Sequence, residues 1–253
     1  MNFLIIDIGN TSTDLVIYNS NKNSFYNRKS LETKRIQTIT KFIKVKKDNF
    51  KYAICSSVVP KVFNKLRIIF SKKKIKLIDI KNSKLKIPIK LNLKRKEQVG
   101  SDRIANSVAA FKYYRHNAIV IDFGTATTFD IIQKNIYQGG LIAPGIHLSL
   151  KVLHQTTAQL PLINIKKTTN IIGKDTISAI NSGMYLSSVG GLKEIVNLII
   201  KKTKKNYLII FTGGLSHIFY NSLKFKKKVI DRDITLKGII EILKFNIKKF
   251  DEY

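Results

Sequence analysis

Short runs rich in Ile, Val, Leu and Phe recur along the chain, each bounded by polar residues or glycine. That is the pattern of buried β-strands. It predicts strands near 2–8, 13–19 and 23–28, a helix near 31–45, a strand at 51–56, a helix at 60–70 and a strand at 75–80. Pro60 suits the first turn of its helix. Residues 81–99, with Pro88 and alternating Lys, are expected to be irregular. Ile104, Val108 and Phe111 at helical spacing predict a helix over 101–115. Strands at 118–123, 127–133 and 135–138 follow, and Gly139, Gly140, Pro144 and Gly145 break the chain before a helix near 146–157. A helical region over 174–202 is expected to be interrupted or closely packed at Gly190-Gly191. A strand at 206–212, a helix near 214–222, a strand at 227–231 and a helix at 235–249 complete the pattern. Both halves run three strands and then alternate helix and strand, which predicts an α/β fold of mixed sheets flanked by helices. The parallel suggests duplication of one unit, residues 1–115 and 116–253, with ligand held in the cleft between them.

The two halves also open on the same string. Leu4-Ile-Ile-Asp7-Ile-Gly9-Asn10-Thr11-Ser12-Thr13 matches Ile119-Val-Ile-Asp122-Phe-Gly124-Thr125-Ala126-Thr127-Thr128, with Asp7 aligned to Asp122, Gly9 to Gly124 and Thr13 to Thr128. Each is an apolar strand ending in an acid, a glycine and a run of hydroxyls. A glycine lets backbone N–H groups approach a phosphate closely. A carboxylate at the end of a buried strand is costly unless a cation accompanies it, and Mg²⁺ carried in with phosphates would serve. One such string could be a plain strand-end turn; its repetition with matching flanks favours phosphoryl transfer. No G-x-x-x-x-G-K-[ST] sequence occurs, so this is not a P-loop protein.

Composition narrows the picture only in part. The net charge of +30 suggests nucleic acid, yet only seven of the 46 basic residues are Arg, the residue suited to bidentate phosphate and base contacts. Abundant Lys, Ile and Asn, with no Trp, are what A/T-rich codons produce, and the Lys runs at 72–74, 201–205 and 226–228 are scattered. A solvated surface is therefore expected rather than a nucleic-acid footprint. No apolar run reaches the roughly 18 residues needed to span a bilayer, and the chain opens on a strand-like run rather than a secretory leader. A cytoplasmic protein with no membrane association is expected. Cys55, the single cysteine, excludes an intrachain disulfide and reads as a small core residue.

Three further segments carry candidate chemistry. Gly100-Ser101-Asp102-Arg103 opens a predicted helix, where Asp102 could simply cap it or could orient a substrate hydroxyl as a base, with Arg103 on an anionic group. Phe211-Thr-Gly213-Gly214 leads from strand to helix and could admit a flat ring or a phosphate, or be only an entry turn. Gly139-Gly140-Leu-Ile-Ala143-Pro144-Gly145 is a cover or a tight connection. His116, His147, His154 and His217 form no metal-binding spacing.

Taken in order, these segments resemble the type III pantothenate kinases of the acetate and sugar kinase/heat-shock protein/actin superfamily. The matching pieces are Asp7-Ile-Gly-Asn-Thr11, Gly100-Ser-Asp-Arg103, Asp122-Phe-Gly-Thr-Ala-Thr-Thr128, Gly140-Leu-Ile-Ala-Pro-Gly145, Gly173-Lys-Asp-Thr176 and Thr212-Gly-Gly214. The resemblance implies duplicated ribonuclease H-like domains and ATP-dependent phosphorylation of pantothenate, the first step of coenzyme A synthesis. It implies that Asp7, Ile8, Gly9, Asn10, Thr11, Ser12, Thr13 and Asp14 contact the ATP phosphates, with Mg²⁺, and that Thr125 contacts ATP. It makes Asp102 the general base, Gly100, Ser101, Asp102, Arg103 and Thr176 the pantothenate-binding positions, and Asp122 the position of a monovalent cation, K⁺ or NH₄⁺. It also implies a homodimer. The chain departs from the family at Leu93, commonly Tyr, and at Lys96, usually Pro, which bears on pantothenate affinity. Two other functions stay open: an accessory transcription factor related to the family, which has no need of Asp102, and another small-molecule kinase of the superfamily.

Overall fold

The computed structural model describes residues 1–39 and 50–251. Contacts group them into two compact units, the first built from the described parts of 1–115, 135–137 and 233–251, the second from 116–134 and 138–232.

Unit 1 is built on a five-stranded sheet. β1 (Asn2–Ile8) pairs antiparallel with β2 (Ser12–Asn19), which pairs antiparallel with β3 (Ser24–Glu32). On its other side β1 runs parallel to β4 (Tyr52–Ser57), and β4 to β5 (Lys76–Asp79), with α1 (Pro60–Ser71) as the crossover. Phe3, Ile5, Val16 and Ile54 face one core, while Leu4, Ile6, Leu15 and Cys55 face another under Leu66 and Phe70 of α1. Alternate residues of a strand point to opposite faces, so burial on both faces explains the unbroken apolar runs. The 81–99 segment holds only a two-residue strand, β6 (Lys90–Leu91), and a 3-10 turn at Lys96–Gln98. α2 (Ser101–Ala109) follows and widens into a π-helical turn, Ala110–Tyr114, closed by Arg115 at φ 52°.

Unit 2 repeats the plan. β7 (Ala118–Phe123) pairs antiparallel with β8 (Ala126–Gln133), and β9 (Ile136–Pro144) comes next in the sheet. The first residues of β9, Ile136 and Tyr137, group with unit 1 and pair there with β6. α3 (Ile146–Gln155) and the 28-residue α4 (Thr176–Thr203) follow. β10 (Leu208–Gly213) lies parallel to β7, α5 (Ser216–Tyr220) follows it, and β11 (Lys228–Ile230) lies parallel to β10. The order β11-β10-β7-β8-β9 thus matches β5-β4-β1-β2-β3 of unit 1. Its core holds Ile119, Ile121, Ile209 and Val196, with Phe123 stacked on Phe219 at 5.2 Å.

The chain then returns to unit 1 as α6 (Ile234–Phe245) and α7 (Lys248–Asp251). α6 crosses α2 at Gly238, where a Cβ would lie 1.9 Å from the Ala105 carbonyl oxygen. Thr235 donates to Asn106 at 2.7 Å and Tyr113 to Glu241 at 3.1 Å along the same contact.

Several elements differ from the sequence-based expectation. Instead of a helix over 31–45, β3 runs to Glu32 and a 3-10 helix spans Thr33–Thr38; residues 40–49 lie outside the described residues. β3 is an exposed edge strand, and its second half carries no apolar alternation to mark its continuation past residue 28. β9 runs on through Gly139 and Gly140 to Pro144. α4 is unbroken at Gly190-Gly191, where a Cβ on either glycine would meet nothing within 4 Å, so neither marks a close approach. The helix expected over 235–249 is split: α6 ends at Phe245, its C-cap Asn246 donating from its amide to Ile242 O and Lys86 O at 2.8 Å each, and α7 follows from Lys248. Among the described residues, no helix is long and apolar enough to cross a membrane.

Candidate active site

The first hairpin owes its shape to Gly9, whose N–H donates to Ser12 O at 3.0 Å, the distance a Cβ there would also have from that oxygen. Asn10, Thr11 and Ser12 form its exposed tip. Ile8 and Thr13 face each other across the ladder and are fully buried. The Thr13 hydroxyl lies 3.0 Å from that of Thr33, which donates to Gly9 O at 2.7 Å, while the Thr33 N–H donates to Thr11 O at 2.9 Å. Thr33 therefore braces the tip from behind.

In the second hairpin the Gly124 N–H donates to Ala126 O at 3.2 Å, so this turn is one residue shorter. Phe123 faces Thr127 and Asp122 faces Thr128, where the first hairpin pairs Ile8 with Thr13 and Asp7 with Asp14. Thr13 thus corresponds to the buried Thr127 and Asp14 to Thr128, which corrects the residue-by-residue alignment of Thr13 with Thr128 by one position. The displacement matters because neighbouring positions point to opposite faces. Only the first hairpin therefore has two acids directly opposite each other. Like charges so placed repel. Arg28 supplies a compensating charge, its Nη2 3.7 Å from Asp14 Oδ1 and its Nη1 hydrogen-bonded to Asp233.

Asp102 comes to the same end of this sheet through its neighbour. Ser101, at the head of α2 and buried, donates to Ser57 O at 3.0 Å and accepts from Ser56 at 3.0 Å. Ser56 stands beside Asp7 in the β1–β4 register. The Arg103 N–H donates to Asp102 Oδ1 at 2.8 Å, which fixes the carboxylate at the helix N-terminus. A Cβ on Gly100 would lie 2.4 Å from that oxygen. Burial pushes the Asp102 carboxyl above its ordinary range, opposed by the Arg103 N–H and by the charges of Arg103 and Lys81. Unit 1 thus brings together the expected residues 7–14 and 100–103.

Unit 2 carries Asp122, Thr125 and Thr176. Gly213 sits at φ +83°, and a Cβ there would lie 2.6 Å from Asp122 Oδ1 and 2.6 Å from the Phe123 backbone. Gly145 presses on the second turn, its Cβ position 2.2 Å from Thr125 O. Those contacts explain Gly213 and Gly145 sterically, whereas a Cβ on Gly214 would meet nothing within 4 Å. Thr176 is exposed in the first turn of α4, behind a capping box in which Asp175 accepts from the Ser178 N–H at 2.9 Å. Among the described residues, no group of three or more His, Cys, Asp or Glu could hold a metal by itself. Leu93 packs against the unit 1 core, and Lys96 borders a surface groove of about 650 Å³ with Ile87, Ile89 and Asn92.

Sequence reasoning missed Arg28, Thr33, Ser56 and Lys81. None lies in a recognisable motif; each reaches the site through tertiary contacts alone.

A family model for type III pantothenate kinases matches residues 3–198. The type III pantothenate kinase of Pelagibacter ubique is 44% identical over 243 residues, 94% of this chain and 96% of that one. Two solved structures share the fold. One, described as a Baf family transcriptional activator from Campylobacter jejuni, has a TM-score of 0.62 at 23% identity over 97% of this chain and 99% of that one. The other, described as an N-acetylmannosamine kinase from Listeria monocytogenes, has a TM-score of 0.55 at 12% identity over 98% of this chain and 100% of that one. At such identities these are likenesses of fold alone.

Proposed function

The chain belongs to the type III pantothenate kinase family, and from that premise we propose that it transfers the γ-phosphoryl group of ATP to the primary hydroxyl of pantothenate. The product is 4′-phosphopantothenate, the first intermediate of coenzyme A synthesis. The match over nearly the full length of a curated relative carries this reading.

Asp102 is the general base. With Oδ1 held by the Arg103 N–H, Oδ2 receives the proton of the pantothenate hydroxyl as it attacks phosphorus. A carboxyl raised by burial is a stronger base than an exposed one, and phosphoryl transfer asks mainly for positioning and charge neutralisation. Arg103 pairs with the pantothenate carboxylate, and Gly100, Ser101 and Thr176 complete its contacts. The exposed tip Asn10–Ser12 and the backbone of residues 7–14 hold the phosphates of ATP, and Thr125 contacts the nucleotide. The facing acids Asp7 and Asp14 fit a hard cation that arrives with phosphate ligands, since the protein alone offers no three-ligand cluster among the described residues. Mg²⁺ held there would neutralise charge on the transferring group. Asp122 would hold K⁺ or NH₄⁺. A homodimer is supported by the exposure of Ile142, Leu162, Ile171, Ile172 and Ile177 in unit 2, a heavy apolar surface for a lone chain.

A coupled ADP-release assay with pantothenate and MgATP, run with and without K⁺, tests the reading. Turnover that needs K⁺ and is lost in Asp102→Asn is expected. No turnover under any ionic condition would refute the kinase, and an unimpaired variant would refute the base.

A further inference from the structure

We propose that Lys81 is a positioning residue for Asp102: its ammonium group clips the chain segment that leads into α2 and brings a second positive charge to the turn that carries the base. The inference rests on the reading of Asp102 as general base.

Lys81 lies two residues past the end of β5, and its own N–H donates to Asp79 Oδ1 at 2.7 Å, which fixes the start of the turn. Its Nζ then reaches across to donate to Glu97 O at 2.6 Å and Val99 O at 3.0 Å. Those carbonyls lie just before Gly100, the N-cap of α2, and the Val99 side chain is buried in the unit 1 core. The segment between Lys81 and Val99 has almost no regular structure of its own. A pair of charge-assisted bonds to carbonyls two residues apart is therefore what ties its far end down before the helix begins. Ser101 holds the helix head from the sheet side, and Lys81 holds the approach to it.

The same ammonium acts on Asp102 electrostatically. The charged groups around Asp102 are Arg103 on its own helix, Lys81 from the turn after β5, and Asp7 beside Ser56 on the neighbouring strand; Asp79 and Glu97 flank Lys81. Burial favours the protonated carboxyl, which cannot act as a base, and Lys81 opposes it. Removing the ammonium raises the Asp102 pKa, so the carboxylate forms only at higher pH. Lys81 is exposed, so its influence is open to screening by salt.

The test is the pH profile of kcat at saturating pantothenate and MgATP, at fixed K⁺, for wild type and for Lys81→Met, Lys81→Gln and Lys81→Arg. The acid limb of Lys81→Met is expected to move to higher pH, with a several-fold lower rate on that limb and a smaller loss on the plateau. Lys81→Gln keeps a neutral donor for the carbonyls and serves if the Met variant does not fold; its limb moves in the same direction. Lys81→Arg restores the wild-type limb. Adding tetramethylammonium chloride moves the wild-type limb toward that of Lys81→Met and moves the variant less. Coincident limbs for wild type and the folded neutral variant would overturn the inference while leaving Asp102 as base. Retained turnover in Asp102→Asn would overturn both.

Discussion

Gly238→Ala tests how the base is held in place. The added Cβ would lie 1.9 Å from Ala105 O, 2.4 Å from Ala105 C and 2.8 Å from Ala105 Cα. All three are backbone atoms, so no side chain can swing aside. Ordinary contact begins near 3.4 Å, so α6 and α2 must part by about 1.5 Å at the crossing. Overpacking of this kind costs about 3 kcal/mol at the upper end of its range. Alanine in a helix interior returns about 1 kcal/mol over glycine. The clash wins, with a net loss of about 2 kcal/mol. At about 2–4 °C per kcal/mol for a chain of this size, the melting temperature should fall by about 4–8 °C. Ala105 lies one turn beyond Asp102, so the base moves too. A displacement near 1 Å can lower kcat by up to about 100-fold. The KM for ATP should change little, because the phosphate hairpin rests on β1 and β2. Circular-dichroism melting and steady-state kinetics on the same preparation give both numbers. A melting temperature within about 1 °C of wild type, with unchanged kcat, would refute the claim that this crossing sets the position of α2.

Asp102→Asn separates function from stability. Its folded-state pKa lies above the unfolded value, so its favourable contribution is present below the unfolded pKa and is lost as pH rises through the folded one. At pH 7 the wild type bears the cost of a buried charge that the variant lacks. The variant should melt no lower than wild type at pH 7 while kcat falls by about 10²–10⁴-fold; a clearly lower melting temperature would contradict the burial account. Thr33→Val removes the hydroxyl that braces Gly9 O and Thr13, leaving buried polar atoms unpaired at about 1–3 kcal/mol, and should raise the KM for ATP more than it lowers kcat. Ile171→Asp with Ile172→Asp places charge on exposed apolar residues of unit 2; if the proposed homodimer forms through them, sedimentation should show a dimer for the wild type and a monomer for the variant.

The central strands β1, β4, β7 and β10 could be read to within about two residues, because burial on both faces writes long apolar runs, whereas β9 runs six residues past its expected end and β6 could not be foreseen. β3 is expected at 23–28 and starts there, but its exposed second half, Lys29-Ser30 included, carries no such mark, so the end of its continuation to Glu32 reads as helix. The repeat that pointed to phosphate was legible, but the register of its second copy was not. Both copies follow their glycine with hydroxyl residues, so the string itself does not reveal which turn is shorter; only the Gly124-to-Ala126 bond does. Asp102 was visible as a helix-head acid beside an arginine. What holds it was not. Lys81 and Gly238 act across 18 residues and across 133 residues of chain respectively, one of many lysines and one of 13 glycines with no local signature.

The grouping of α6 with unit 1 has a consequence for how the protein is made. Residues 1–115 emerge from the ribosome first, yet the helix that packs on α2 is synthesised only after all of unit 2. During translation the sheet and hairpin of unit 1 can form early, while the helix bearing Asp102 waits with its Ala105 flank bare. The packing of α2 is thus the last part of that unit to be completed, and a nascent chain that stalls before residue 234 would have the first hairpin without a fixed Asp102, the proposed base.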